Sequence, residues 1–252
     1  LNLSGTERSL TYSIDSTSLN SILTPVFKVG QPGGNALGGG CLDLQTSRTS
    51  ATQTCSGQTS SILAGINQQV SSSGFGGAIT NGATNLAGGS YFRLGGFRAS
   101  DRNRYGPDCY ASGFFFNSQG ESQACTTVLR ATTTSTTPTR LTSSGTTPAV
   151  ASTCINVPAN YTFGTDILLT ARNRTTTGNS LVWRVSGGML YRDATVGSTT
   201  WSGPAATTQS VGTVGTVAVG ADTSLGCLSL TWTAPNSDTW DVTARVVTVE
   251  NW

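Results

Sequence analysis

The sequence predicts an all-β protein, with an antiparallel β-sandwich at the C-terminal end preceded by a glycine-rich β-roll or meander. Three observations predict this class. No segment shows a long apolar period of 3.6 residues, glycine recurs every six or seven residues over 71–113, and strand-like segments follow one another closely after residue 126. The predicted domains are therefore 1–70, 71–125 and 126–252.

Residues 1–70 are predicted to form an N-terminal attachment or arm region. Strand-like segments at 9–15 and 24–30 precede the loose stretch "GQPGGNALGGGC" at 30–41, where proline and paired glycines mark a turn or an extended loop. The best helix candidate in the chain is "SSILAGINQQV" at 60–70, whose apolar residues would share one face.

Residues 71–125 carry the regular glycine spacing. The stretch "SSSGFGGAITNGATNLAGGSYFRLGGFRASD" reads as short strands separated by tight turns. Its aromatic residues would be out of place in a disordered linker. A stacked roll or a meander is therefore predicted.

Residues 126–252 carry the clearest strand signals. The threonine-rich stretch "TTVLRATTTSTTPTRL" at 126–141 is predicted to be the first hairpin of the sandwich, because threonine favours strands and Ser-Thr-Thr-Pro favours a turn. Four alternate residues of the last strand should face the core, namely Trp240, Val242, Ala244 and Val246. The apolar residues then shift phase to Val247 and Val249, which predicts a bulge or burial of both faces.

Composition narrows the function classes. Only 10% of the 252 residues are charged, against roughly 25% in a typical soluble domain. A surface of Ser, Thr, Asn and Gly favours an extracellular protein or a subunit of a large assembly over a cytosolic enzyme. The net charge of +2 without a basic cluster gives no support for a nucleic-acid partner, and no apolar run is long enough to span a membrane.

The six cysteines leave two interpretations open. They lack any CxxC pair and the chain has no histidine, so no metal site is predicted. If they are bridged, Cys41–Cys55 and Cys109–Cys125 are the local candidates for disulfides. The alternative is that all six are buried free thiols.

Catalytic and cofactor-binding residues are not predicted. The absence of histidine excludes Ser-His-Asp and Cys-His nucleophiles. Asp101 and Asp108 are the only closely spaced carboxylates in an aromatic setting, and their ordinary interpretation is turn residues paired with Arg102 or Arg104.

Two aromatic residues are candidates for surface or ligand contact. These are Tyr105 and Trp201, both in turn-rich segments. The other internal tryptophans lie in alternating strands and are predicted to pack in the core or between subunits; they are Trp183, Trp232 and Trp240.

Residues 105–252 resemble a β-structured module at the C-terminal end of tailed-phage tail-fibre and virion-surface proteins. The resemblance rests on "YASGFFFNSQGESQACTTVLRATTTSTTPTRL" (110–141), "NYTFGTDILLTAR" (160–172), "LVWRVSGGMLYR" (181–192) and "ADTSLGCLSLTWTAPNSDTWDVTARVVTVE" (221–250), in that order. The glycine-spaced segment before it resembles the repeats in the heads of trimeric autotransporter adhesins.

This resemblance implies a non-enzymatic structural protein on the surface of a bacteriophage virion, either a tail fibre or spike or a capsid decoration protein. It implies a homotrimer whose partners are other tail or capsid proteins, and it leaves host surface polysaccharide open as a further partner. The alternative is a bacterial surface adhesin or pilus subunit with disulfides. The third class is an enzyme such as a capsule depolymerase, and no activity is expected.

Overall fold

The computed structural model describes residues 35–116, 118–146 and 149–251. These ranges form strands and one short 3₁₀ turn at Val196–Ser198, and they contain no α-helix. The strands are β1 Leu42–Asp43, β2 Ser61–Ile62, β3 Gln69–Val70, β4 Ala78–Ile79, β5 Leu86–Ala87, β6 Arg93–Gly96, β7 Asp108–Gly113, β8 Ser122–Thr133, β9 Thr139–Arg140, β10 Tyr161–Asn173, β11 Ser180–Arg192, β12 Thr200–Ser202, β13 Thr207–Val211, β14 Thr216–Asp222, β15 Cys227–Thr233 and β16 Trp240–Asn251. The strand-like segments predicted at 9–15 and 24–30 lie outside the described residues.

The first part of the described chain is a parallel β-solenoid of about four turns. β1, β2, β4, β6 and β7 stack in parallel, one strand for each turn of the coil, and β3 and β5 form a separate parallel pair. The inward side chains of successive turns are buried in one column: Ile62, Ile79, Leu94 and Cys109. Each turn contributes only two or three side chains to this core, which also contains Val70, Ala87 and Ala99.

Glycine is required at one corner of the solenoid. Gly65, Gly82 and Gly96 have positive φ angles of 106°, 97° and 85°. A Cβ atom on Gly82 would overlap the carbonyl group of Gly96 in the next turn. The regular glycine spacing thus reflects close backbone stacking as well as turn geometry.

Gly82→Ala is expected to lower the free energy of unfolding by at least about 2 kcal/mol, because alanine disfavours this φ and its Cβ would displace the next turn. Urea unfolding would measure the change. Gly220→Ala is the matched control, since a Cβ there meets no atom within 4 Å and φ is not positive. Equal costs for the two variants would contradict the role assigned to the corner.

Buried amide side chains form a ladder inside the solenoid. The Gln45 Oε1 atom accepts a hydrogen bond from the Gln68 N–H at 2.9 Å, and the Gln68 Oε1 atom accepts one from the Asn85 N–H at 3.0 Å. The Asn85 Oδ1 atom accepts from the Ala99 N–H at 2.7 Å. Each amide satisfies a backbone donor of the following turn that no strand pairing reaches.

The strands after the solenoid continue its sheet. β7 pairs in parallel with β6 and antiparallel with β8, and the sheet then runs β8-β16-β10-β11-β12, with β13 also paired to β11. The predicted fold class, a separate β-sandwich after a glycine-rich roll or meander, is therefore wrong. The chain is all-β, but one eleven-stranded sheet passes from the solenoid into the antiparallel strands. The domain boundaries at residues 70 and 125 stay predictions.

The antiparallel strands have their own apolar core. β9, β14 and β15 form a three-stranded sheet, and side chains of β15 belong to the same buried cluster as the inward side chains of β8, β10, β11 and β16. The tryptophans predicted to be internal lie in this cluster, with Trp232 and Trp240 fully buried and their ring centroids 5.3 Å apart.

Two local predictions are wrong, and a third is confirmed in part. Residues 60–70 contain β2 and β3 and no helix, and Leu63 and Ile66 are each 43% exposed. The threonine-rich stretch does turn back on itself, since Arg130 and Thr142 exchange backbone hydrogen bonds of 2.8 and 3.1 Å across the turn, but β9 pairs with β15 of the smaller sheet.

The second wrong prediction concerns β16. Its register with β8 is continuous, and Thr248 and Glu250 point inward while Val249 is exposed. The change in apolar phase reflects a polar interior at this end of the strand.

No helix in the described ranges is long and apolar enough to cross a membrane.

Candidate functional site

A cleft of about 390 Å³ lies on the outer face of the large sheet, where the solenoid meets the antiparallel strands. Its polar and aromatic lining comes from consecutive strands and the turn after β4: Thr80, Asn81, Arg93, Asp108, Tyr110 and Thr126. Asp108 and Tyr110 point outward from β7 because Cys109 and Ala111, which alternate with them, are buried in the solenoid.

An ion pair forms one side of the cleft. The register places Arg93 of β6 directly opposite Asp108 of β7. The Arg93 Nε atom donates to the Asp108 Oδ1 atom at 2.9 Å, and the Arg93 Nη2 atom donates to Asp108 Oδ2. The two side chains are 66% and 46% exposed, so the pair is a solvent-facing polar surface. The side-chain hydrogen bond from Arg93 to Asp108, together with the charge of Asp108, raises the pKa of Arg93.

An exposed aromatic ring forms the other side. Tyr110 is 61% exposed and lies opposite Gly95, which contributes no side chain to the cleft. A Cβ atom on Gly95 would lie 2.9 Å from the Asn81 Oδ1 atom and 3.5 Å from the Tyr110 Cδ2 atom. The glycine therefore leaves open the space between the tyrosine ring and the asparagine amide.

The aromatic residues predicted for ligand contact lie elsewhere. Tyr105 packs edge-to-face against Tyr91, with centroids 5.0 Å apart, at a corner of the solenoid. Trp201 is half-buried in β12, where its ring covers Gly188 and Gly203. A ligand role for Tyr105 and Trp201 stays a prediction.

The six cysteines lie in three disulfides. Cys41 is bonded to Cys55 and Cys109 to Cys125, both inside the solenoid, with Cα–Cα distances of 6.1 and 4.1 Å. The third disulfide joins Cys154 to Cys227 at the start of β15, with a Cα–Cα distance of 6.1 Å.

The two carboxylates that sequence analysis placed together have different surroundings and different partners. Asp108 lies on the outer face, whereas Asp101 is buried and accepts hydrogen bonds from the N–H groups of Gly88, Gly89 and Asn103. Burial raises the pKa of Asp101 despite these bonds and the charge of Arg104. The described ranges contain no group of three or more side chains suited to a metal ion.

A buried ion cluster joins the last solenoid corner to the C-terminal strand. Glu250 accepts hydrogen bonds from Arg102 Nε and Arg104 Nη2, each at 2.8 Å, and from Gln123 Nε2 at 2.7 Å. Burial would raise the pKa of Glu250, but the charges of Arg104 and Arg102 and these hydrogen bonds outweigh it and hold the pKa below its ordinary value.

Sequence analysis missed the cleft. Arg93, Asn81 and Tyr110 are distant in sequence from one another, and only the parallel register of β4, β6 and β7 brings them together. The alternation in "DCYAS" indicates that Asp108 and Tyr110 share a face, and this pattern is the one sign of the cleft within a single strand.

Comparisons with known proteins identify no family for this chain. No family model and no curated protein matches this chain. Among solved structures, a tailspike protein, gp49 of Acinetobacter baumannii bacteriophage Fri1, described as a capsular polysaccharide depolymerase, matches 84% of this chain at 10% identity with a TM-score of 0.25. The chain spans 38% of that structure's length.

The predicted absence of enzymatic activity is not retained. The matched tailspike is itself an enzyme, and this contradicts the prediction. A TM-score of 0.25 establishes neither a shared fold nor a shared site, so the likeness also assigns no activity to this chain.

Proposed function

We propose that this protein is a structural protein on the surface of a bacteriophage particle, either a tail fibre or spike or a capsid decoration protein. One observation carries the proposal: the motifs of 105–252 that resemble the phage module fall on strands of the fold. The four motifs contain most of β8, β16, β10 and β11, which are consecutive neighbours in the large sheet.

The composition of the surface supports the same function. The strand β13, with the sequence TTQSV, carries no charge and is exposed along its whole length, so copies of the chain or neighbouring virion proteins would cover it. Three copies of the protein would form a homotrimer. The trimer would attach to tail or capsid proteins and contact the host surface from the outside of the particle.

Electron microscopy of purified particles labelled with an antibody against this chain tests the proposal. Label on the tail would assign a fibre or spike, and label on the shell would assign a decoration protein. Particles that carry no label would overturn the proposal.

A bacterial surface adhesin or pilus subunit is the second candidate. The observation that favours it is the pairing of all six cysteines, because disulfides persist in oxidising compartments such as the periplasm and cell surface. The same antibody would then label the surface of bacteria and leave phage particles unlabelled.

A further inference from the structure

We propose that the outer-face cleft binds a neutral glycan, with the ring of Tyr110 as the surface on which a sugar packs. The proposal rests on the proposed function in one respect, since a protein on a particle surface is placed to meet glycans on a bacterial cell. The site itself is argued from the side chains that form it.

The tyrosine ring supplies an apolar surface beside polar groups. Tyr110 is 61% exposed, and Gly95 next to it leaves the ring edge and part of its face accessible. An amphipathic ring in this position suits a ligand that has an apolar face and hydroxyl groups at its edge. Sugar rings have this character, with C–H groups on the face and hydroxyls around the rim.

The polar groups beside the ring suit hydroxyls. The Arg93 guanidinium has five N–H donors, and its pair with Asp108 uses two of them. Asp108 contributes acceptor oxygens, and Asn81 contributes an amide held in place by a hydrogen bond from the Gly96 N–H to its Oδ1 atom at 3.3 Å. A hydroxyl group both donates and accepts, so adjacent donors and acceptors match it.

The charge balance selects neutral sugars. Arg93 and Asp108 neutralise each other, and they are the two charged residues that line the cleft. An acidic sugar that approached the remaining donors of Arg93 would also meet the neighbouring carboxylate of Asp108, which repels it. A neutral glycan meets no such repulsion.

The test measures binding of the purified protein to immobilised bacterial surface polysaccharides, neutral and acidic. We expect binding to at least one neutral polysaccharide, about tenfold weaker for Tyr110→Ala and unchanged within about twofold for Tyr110→Phe. Phe115→Ala is the matched control, because Phe115 is also 61% exposed but lies outside the cleft, and it should bind like the unchanged protein.

Three outcomes would overturn the inference: no neutral polysaccharide binds, acidic polysaccharides bind better than neutral ones, or Tyr110→Ala and Phe115→Ala bind equally well. Thermal unfolding of each variant shows whether it is folded, and Arg93→Met provides a second cleft variant that should also weaken binding. Because the assay uses isolated protein, its failure leaves the particle-labelling result intact, and unlabelled particles would leave the binding result intact.

Discussion

Replacing Glu250 with glutamine is expected to lower the free energy of unfolding by roughly 3–5 kcal/mol. The Glu250 and Arg104 side chains are 0% and 1% exposed, and Arg102 is 9% exposed. Glutamine keeps the shape but removes the negative charge, so the buried guanidinium groups of Arg102 and Arg104 would lose the carboxylate that both of them contact. Chemical denaturation of the disulfide-intact protein would measure the loss.

The Arg174–Asp241 pair supplies the control for this prediction. Its side chains are 63% and 43% exposed, and exposed pairs contribute little to stability. Asp241→Asn should therefore change the unfolding midpoint far less than Glu250→Gln. Similar losses of stability in the two variants would show that burial does not determine how much the Glu250 cluster contributes to stability.

The Glu250 cluster should also govern part of the acid response. The folded-state pKa of Glu250 is lowered, so its contribution to stability is complete above the ordinary value of 4.5 and is lost as the pH falls through the lower folded-state value. The difference in unfolding free energy between the unchanged protein and Glu250→Gln should thus shrink below about pH 4.5. Asp101, whose pKa is raised by burial, has the opposite pH dependence but is present in both proteins. A constant difference between pH 7 and pH 3 would contradict this role.

Sequence patterns predicted the long strands well and the solenoid poorly. Trp240, Val242 and Ala244 alternate with polar residues and face the core as expected, because a twelve-residue strand shows its period clearly. A two-residue strand such as β2 or β4 is too short to show a period. The repeated glycines were the visible signal of the turns, and they did not specify whether the turns stack in parallel.

Buried polar residues explain the remaining differences. Gln68, Asn85 and Glu250 are buried, although hydrophobicity alone assigns such residues to the surface. Gln68 and Asn85 satisfy backbone donors of the next turn, and Glu250 pairs with two arginines. These partners lie in other turns or at the far end of the chain, so neighbouring residues do not reveal them. The cleft was missed for the same reason, since it depends on register between strands.

Removing the third disulfide by the double substitution Cys154→Ala and Cys227→Ala is expected to cost roughly 4 kcal/mol. The bond closes a loop with a sequence separation of 73 residues, and the entropy that a disulfide removes from the unfolded chain grows with loop length. The bond also anchors Cys154 to the first residue of β15, where the Leu228 N–H donates to the Ile155 carbonyl oxygen at 3.0 Å. The double substitution would remove both the constraint on the unfolded chain and the anchor between Cys154 and β15.

The pair Cys41→Ala and Cys55→Ala is the matched control for loop length. Its sequence separation is 14, so the same argument gives about 3 kcal/mol, and the 73-residue loop should show the larger loss in urea unfolding under oxidising conditions. Alanine suits both pairs because the cysteines are buried, and serine would add an unsatisfied hydroxyl group. If the short-loop variant lost as much stability as the long-loop variant, packing around the cysteines would outweigh chain entropy. If the reduced protein were as stable as the oxidised one, the disulfides would not be needed for the fold, and the observation that favours an exported protein would lose its physical basis.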